Sequence, residues 1–283
     1  MQCVHPFFLR KEQMYVPCGH CVACRIAKSR EWSIRLLGEL NYWISACFLT
    51  LTYDELHVPL SLKKRDLQLF WKRLRKAVSP RKIKYFSCGE YGETYGRPHY
   101  HAIVFGVDWN DEDVINRCWN KGFIKVGGVT SKSISYVTSY VMKKWSKDEE
   151  KKQYEECGME APFQLVSQGL GLRFACDNRE QLQDDLGTTF NGKRVGLPRY
   201  YVRKLEIDTD IMREISKSSN AEKVSRICRR LGCAETGFRD RYDYQTYKGD
   251  YLFNDKVSVY LRQELKQRER NMLSKERFRK GKF

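Results

Sequence analysis

Long apolar runs are missing from this 283-residue chain, and no stretch approaches the roughly 20 consecutive apolar residues that a membrane span needs. The opening MQCVHPFFLRKEQ meets its charges before any apolar run of signal-peptide length. Neither secretion nor membrane insertion is therefore expected. Internal repeats and low-complexity tracts are also lacking, which excludes solenoids and long disordered linkers. The phosphate-loop signature G-x-x-x-x-G-K-[ST] of nucleotide-driven motors does not occur. Acids are in short supply, with Asp+Glu 35 against Lys+Arg 52 for a net charge of +17. A surplus of that size favours a polyanionic partner, nucleic acid before anionic membrane. Histidine is scarce, with only 5 residues, so any pair of them is informative.

What is present is enough to bury a core. Hydrophobic residues make up 41% and aromatics 13%, which is a globular balance. A chain of this length needs neither disulfides nor a metal merely to fold. Eleven cysteines is an odd number, so a fully paired disulfide framework is excluded. Clustered cysteines then read as metal ligands and scattered ones as reduced thiols.

Periodicity places the elements. Trp32, Leu36, Leu37 and Leu40 recur at helical spacing, and ACFLTLTY (Ala46–Tyr53) reads as a strand. Leu67, Phe70, Leu74 and Val78 form one apolar stripe of a helix over Leu62–Val78. Lys84–Ser87 and His99–Phe105 read as paired strands joined by the Gly-rich CGEYGETYGRP. Asp111–Trp119 is expected to be helical, Phe123–Val126 a strand, and a helix follows to about Lys147. Later landmarks are LPRYYVRKL (Leu197–Leu205) and helical stretches near Asp208–Leu231 and Asp255–Lys280. Strands and helices in this order predict an α+β fold, a central antiparallel β-sheet with flanking helices. The expected organisation is a cysteine-rich segment over 1–24, a core over 25–150, and a partly helical extension with a basic tail over 151–283.

In RPHYHAIVFG (Arg97–Gly106), strand alternation puts His99 and His101 on one face. Two such imidazoles can offer nitrogens to one divalent ion, although an isolated H-x-H also fits one core and one exposed histidine. A hairpin would bring Glu90 beside them, and a carboxylate with two imidazoles suits Mg²⁺ or Mn²⁺ more than a closed structural zinc. Glu93 competes but belongs to a Gly-flanked turn. In SISYVTSYVMKKW (Ser133–Trp145), Tyr136, Tyr140 and Lys144 share a helix face and Lys143 lies beside it. Paired tyrosines at that spacing commonly pack in a core. Beside a metal site and lysines, a phenol gains what it needs to act as a nucleophile.

FLTLTY (Phe48–Tyr53), Glu90 with His99-x-His101, and Y-x-x-x-Y-x-x-K-K resemble the three ordered motifs of HUH endonucleases, the rolling-circle replication initiators. With CGHCVACR early and PRYY late, residues 1–205 resemble the two-tyrosine initiators of gokushovirus-type microviruses. The resemblance implies an HUH-type, RRM-like palm in which His99, His101 and Glu90 hold Mg²⁺ or Mn²⁺. It implies that Tyr136 or Tyr140 nicks single-stranded DNA at a replication origin through a 5′-phosphotyrosine, with Lys143 or Lys144 stabilising charge. It also implies action in the cytoplasm of a bacterial host, with a host DNA polymerase extending the 3′-end and a host helicase unwinding. Ser139 stands three residues after Tyr136, where Lys143 stands after Tyr140, which puts equal roles for the two phenols in doubt.

Two further clusters stand apart from that chemistry. Cys18, Cys21 and Cys24 form C-x-x-C-x-x-C, and Cys3, or else His5 or His20, can complete a structural Zn²⁺ site; unliganded thiols are the other reading. Between Leu62 and Lys84 ten basic residues face one acid. Of these Lys63, Lys64, Arg65, Lys72, Arg73, Arg75 and Lys76 are expected to contact DNA phosphates, although charge runs are commonly just solvated. Tyr91, Tyr95, Tyr100 and Trp109 are candidates for stacking unpaired bases. Competing readings are a plasmid relaxase or single-strand transposase of the same chemistry, and a non-enzymatic zinc-containing DNA-binding or packaging protein.

Overall fold

A computed structural model describes residues 3–9, 14–92, 95–140, 152, 154–208, 210–211, 222, 225–232 and 255–280. In chain order the strands are β1 (Phe7–Leu9), β2 (Met14–Val16), β3 (Ala46–Thr52), β4 (Lys84–Tyr91), β5 (Pro98–Phe105), β6 (Ile124–Gly128), β7 (Phe163–Val166), β8 (Gly187–Phe190) and β9 (Lys193–Gly196). The first four helices are α1 (Val22–Leu40), α2 (Lys64–Ala77), α3 (Glu112–Trp119) and α4 (Ser131–Ser139). None of the described helices is long and apolar enough to cross a membrane.

Two compact units divide the chain: Arg25–Leu205, and Met1–Cys24 together with Glu206–Phe283. The first holds a five-stranded sheet in the order β6–β3–β5–β4–β7 with every neighbouring pair antiparallel. The soft boundary expected near residue 150 falls inside this unit, because β7 pairs with β4 as an edge strand.

Alternation along the strands builds a core on each face of the sheet. Leu49, Leu51, Tyr85, Tyr100 and Val104 point to one face, where Leu67, Phe70, Trp71 and Leu74 of α2 and Ile115 and Trp119 of α3 cover them. Burying each of these large side chains contributes roughly 1.5–3 kcal/mol. Phe86, Cys88, Ile103 and Phe105 point to the other face, under Leu36 of α1 and Ile134 and Val137 of α4. The result is a helix–sheet–helix sandwich, the expected α+β architecture with a sheet one strand wider than the sequence disclosed.

The late LPRYYVRKL landmark has a packing role. The Arg35 guanidinium of α1 lies 4.0 Å from the Trp32 ring centroid and 3.7 Å from that of Tyr200, and Arg35 Nε donates to the Leu170 carbonyl at 3.1 Å. Cation–π contact on both faces satisfies a charge that would otherwise be costly to bury. A second buried polar cluster fixes α4. Ser33 Oγ lies 2.7 Å from Thr138 Oγ1, and Ser29 Oγ donates to the same oxygen at 3.3 Å.

The other unit contains the β1–β2 pair and the helix Asp255–Lys280, whose Leu265 and Met272 pack with Cys3, Val4 and Cys21.

Candidate functional site

Register brings the candidate ligands together. Glu90 on β4 lies opposite His99 on β5, and His101 is flanked by Thr50 on β3 and Cys88 on β4. Directly opposed residues of an antiparallel pair share a face, so Glu90, His99, His101 and Thr50 line the face covered by α1 and α4. His99 Nε2 is 2.9 Å and His101 Nε2 3.4 Å from the same oxygen, Glu90 Oε1. One ligand atom from each of the three lies within 4.8 Å of the others. Glu90 and His101 are buried and His99 half-buried.

The outer nitrogens are held from behind. His99 Nδ1 is 3.0 Å from the Arg97 carbonyl and His101 Nδ1 is 3.0 Å from Thr50 Oγ1. A carbonyl only accepts, so His99 carries its proton on Nδ1 and, when neutral, turns the lone pair of Nε2 toward the carboxylate. Lone pair against carboxylate at 2.9 Å repels unless a proton or a cation lies between them. The donor set therefore fits a divalent cation.

The tyrosines reach this cluster from α4. Tyr140 stacks flat on the His101 ring, with centroids 4.9 Å apart and planes at 7°. Tyr136 meets His101 edge-on at 5.3 Å and Phe48 at 6.0 Å. The Tyr140 hydroxyl donates to the Tyr136 oxygen. Tyr140 is buried while Tyr136 is 39% exposed. Burial first, then the Glu90 carboxylate and the Tyr136 bond, push the Tyr140 phenol well above its ordinary range. Ser139 Oγ donates to the Tyr136 backbone carbonyl at 2.6 Å, so its hydroxyl is occupied locally. Lys143 and Lys144 lie outside the described residues, as does Glu93.

One residue of this site escaped the sequence reading. Gln164 on β7 lies opposite Cys88 and lines a small cavity with Glu90, Tyr140 and Phe163. Its buried side-chain Nε2 has no hydrogen-bond partner among the described residues. FQLV shows neither alternation nor a charge that would have marked it.

The basic helix faces away from this centre. The apolar stripe of α2 covers the opposite side of the sheet, so Lys63, Lys64, Arg65, Lys72, Arg75 and Lys76, all exposed, are separated from the histidines by the sheet itself. Arg73 is engaged in the fold, its Nε donating to the Cys118 carbonyl at 2.7 Å at the end of α3. The stacking candidates scatter too. Tyr100 is buried on the α2 side, and the Tyr91 hydroxyl donates to the Glu160 carbonyl at 2.7 Å. Trp109 follows the far end of β5, and Tyr95 is exposed in the β4–β5 connection.

In the other unit, Cys3, Cys18, Cys21 and Cys24 converge. Their Sγ separations are 3.5 Å (Cys3–Cys18), 3.7 Å (Cys3–Cys21) and 3.9 Å (Cys18–Cys24). These are too long for disulfides and close to the edge of about 3.8 Å of a tetrahedron with metal–sulfur bonds near 2.3 Å. Burial raises the Cys3 thiol to about 11. Burial also opposes ionisation of Cys21, but hydrogen bonds from the Val4 and Cys24 backbone and the neighbouring thiols outweigh it and bring Cys21 to about 7. His5 pairs instead with Glu269 at 3.1 Å, and His20 Nδ1 is 2.9 Å from the Cys18 carbonyl. Neither histidine belongs to the cluster.

Fold and site together define an α+β protein with a metal-competent centre set against paired phenols. Its family comes from comparison. Residues 46–145 match the family model of the replication-associated protein ORF2. The chain is 30% identical over 224 residues to "Replication-associated protein ORF2" of Spiroplasma virus 4, covering 68% of each. It is 34% identical over 151 residues to "Replication-associated protein VP4" of Bdellovibrio phage phiMH2K, 45% of this chain and 48% of that one. It is 28% identical over 241 residues to "Replication-associated protein ORF4" of Chlamydia phage 1, 71% of this chain and 58% of that one. The chain belongs to the replication-associated proteins of microviruses, and its role lies in phage replication. No solved structure matches it.

Proposed function

We propose that this protein is an HUH-type, metal-dependent nicking and joining enzyme that opens a single-stranded DNA origin to start rolling-circle replication. The observation that carries this reading is the contact of an exposed phenol, Tyr136, with a histidine pair whose Nε2 atoms converge on Glu90. His99, His101 and Glu90 would hold Mg²⁺ or Mn²⁺, which when bound supplies Lewis acidity to the scissile phosphate.

Tyr136 is the first nucleophile in this proposal, because Tyr140 is buried and already donates to it. The Tyr136 oxygen attacks phosphorus, the bond to the 3′-oxygen breaks, and that oxygen takes a proton to leave as a 3′-hydroxyl. The strand stays on Tyr136 as a 5′-phosphotyrosine. Rejoining is the reverse attack by a 3′-hydroxyl and needs no nucleotide triphosphate, because the ester to tyrosine conserves the phosphodiester's free energy. The Tyr140 hydroxyl, held neutral by burial and by Glu90, donates to the Tyr136 oxygen while that oxygen carries negative charge. Lys143 or Lys144 would add positive charge, and the exposed lysines and arginines of α2 would hold DNA phosphates away from the cleavage centre. Cys3, Cys18, Cys21 and Cys24 would bind a structural zinc. The setting is the cytoplasm of the host cell, with host helicase and polymerase as partners.

The test is incubation of labelled strands from the viral origin with the protein and Mn²⁺, followed by a denaturing gel. A covalent adduct, lost in Tyr136→Phe and weakened in His99→Ala, is expected. Absence of any adduct across the origin strand with either Mg²⁺ or Mn²⁺ overturns the reading.

A further inference from the structure

The rows of side chains that cross the sheet extend beyond the histidines to an edge that the mechanism above does not use. In one row Glu90 lies opposite His99 and His99 opposite Thr52. Thr52 N donates to the Phe123 carbonyl at 2.9 Å and Phe123 N to the Thr52 carbonyl at 3.0 Å, so Phe123 continues that row. In the next row Gln164, Cys88, His101, Thr50 and Lys125 follow one another across five strands. Opposed residues share a face, so Phe123 and Lys125 stand on the same side of the sheet as the metal-competent cluster.

The placement of Phe123 is not accounted for by packing. Ile124 and Val126, pointing the other way, pack against the α2-side core, whereas Phe123 is 67% exposed and Lys125 is exposed. A lone exposed aromatic is ordinary on a protein surface; one held in register with the cleavage centre is not. Its position is also set firmly. Gly122 has φ +144°, and a Cβ there would lie 2.3 Å from the Asp54 nitrogen and 2.5 Å from the Thr52 carbonyl oxygen. Glycine lets the chain close on β3 and start β6 with the Phe123 ring on this face. Two strand spacings, roughly 10 Å, separate Phe123 from His99, a distance that a dinucleotide spans.

We propose that Phe123 and Lys125 form a nucleotide subsite at the β6 edge, where the Phe123 ring stacks on an unpaired base flanking the scissile phosphate and the Lys125 ammonium pairs with a phosphate of the same strand. This rests on the reading of that face as a single-strand cleavage site, and it adds which residues hold the flanking nucleotide. An aromatic face accepts any base, so the subsite contributes affinity and strand direction rather than sequence choice.

The experiment uses the full chain and a fluorescent oligothymidylate of about 20 nucleotides, long enough to span a single-strand groove, with affinity read by anisotropy over a salt series. Phe123→Ala is expected to bind roughly tenfold more weakly, and Phe123→Trp to restore binding with its emission quenched by the oligonucleotide. Lys125→Ala should lower the salt slope by about one. Trp109→Ala, which removes an equally exposed ring at the far end of the sheet, should bind as the wild type does. Unchanged affinity in Phe123→Ala, or unquenched Trp emission, overturns the subsite. Adduct formation by the wild type is scored in parallel. If it is present while Phe123→Ala binds normally, only the subsite fails; if it is absent, the cleavage reading itself fails.

Discussion

Tyr140 donates its phenolic hydrogen to the oxygen of Tyr136, with the two rings edge to face and their centroids 5.1 Å apart. The pair is therefore asymmetric: one phenol is accessible and the other is buried against His101. Tyr136→Phe should abolish the first adduct. Tyr140→Phe should retain it at a rate reduced on the order of a hundredfold, the usual cost of removing one donor to a developing oxyanion. Single-turnover rates on a denaturing gel check this, and a dead Tyr140→Phe with an active Tyr136→Phe reverses the assignment.

Thr50 acts on the metal through His101. Replacing it with valine keeps the shape and removes the oxygen 3.0 Å from His101 Nδ1. Loss of such an orienting partner typically weakens metal binding 10- to 100-fold. Thr50→Val should raise the Mn²⁺ concentration needed for half-maximal adduct formation by about that factor, with the rate recovered at saturating metal. An unshifted Mn²⁺ curve would show that Thr50 does not orient the imidazole.

Ser33 and Thr138 join α1 to the helix that carries the tyrosines. Thr138 lies between Tyr136 and Tyr140 in sequence and points to the buried side of α4, 2.7 Å from Ser33 Oγ. Thr138→Val leaves buried hydroxyls short of a partner and should cost about 1–3 kcal/mol. Denaturant unfolding measures the loss. Because the two oxygens share one bond, adding Ser33→Ala should cost less than the sum of the single changes.

Asp111 reports on acid stability. Its carboxylate accepts from Arg81 Nη1 at 3.0 Å and Nη2 at 2.6 Å, and those bonds hold it below the usual carboxylate range. A group whose folded pKa is depressed stabilises the fold above its unfolded value, near 3.9, and loses that contribution as pH falls through the folded value. Arg81 is half exposed, so solvent screens the pair and about 1 kcal/mol at neutral pH is expected. Melting curves of Asp111→Asn should lie below the wild type at pH 7 and converge with it below about pH 3.

The four-cysteine cluster gives a stoichiometric test. Protein purified without chelators should contain about one zinc per chain and lose it in Cys21→Ser. Acidification should release the metal, since protons compete for the thiolates. Elemental analysis across pH reads both, and metal-free wild-type protein would retire the zinc assignment alone.

Much of the core was legible along the chain. Alternation marked β3 and β5, the apolar stripe of α2 gave its buried side, and three cysteines at fixed spacing announced a cluster. Glu90 followed from the short connection to His99, since a hairpin of that length leaves few registers. β7 was not legible: four half-buried residues with no alternation become a strand only because the free edge of β4 offers them backbone partners. Gln164 went unseen with it. Phe123 sat inside an expected strand, yet nothing local says that its ring faces the histidines.

Local patterning alone determined which residue types could do chemistry and which would share a face of their own element, because helical and strand periods are properties of a few consecutive residues. Tertiary structure decided which faces meet. It put the basic helix behind the sheet and the tyrosine helix in front, buried Tyr140 and exposed Tyr136, and aligned Phe123 with Glu90. Those outcomes depend on strand order and helix placement, which hydrogen bonding and apolar burial between distant segments set together.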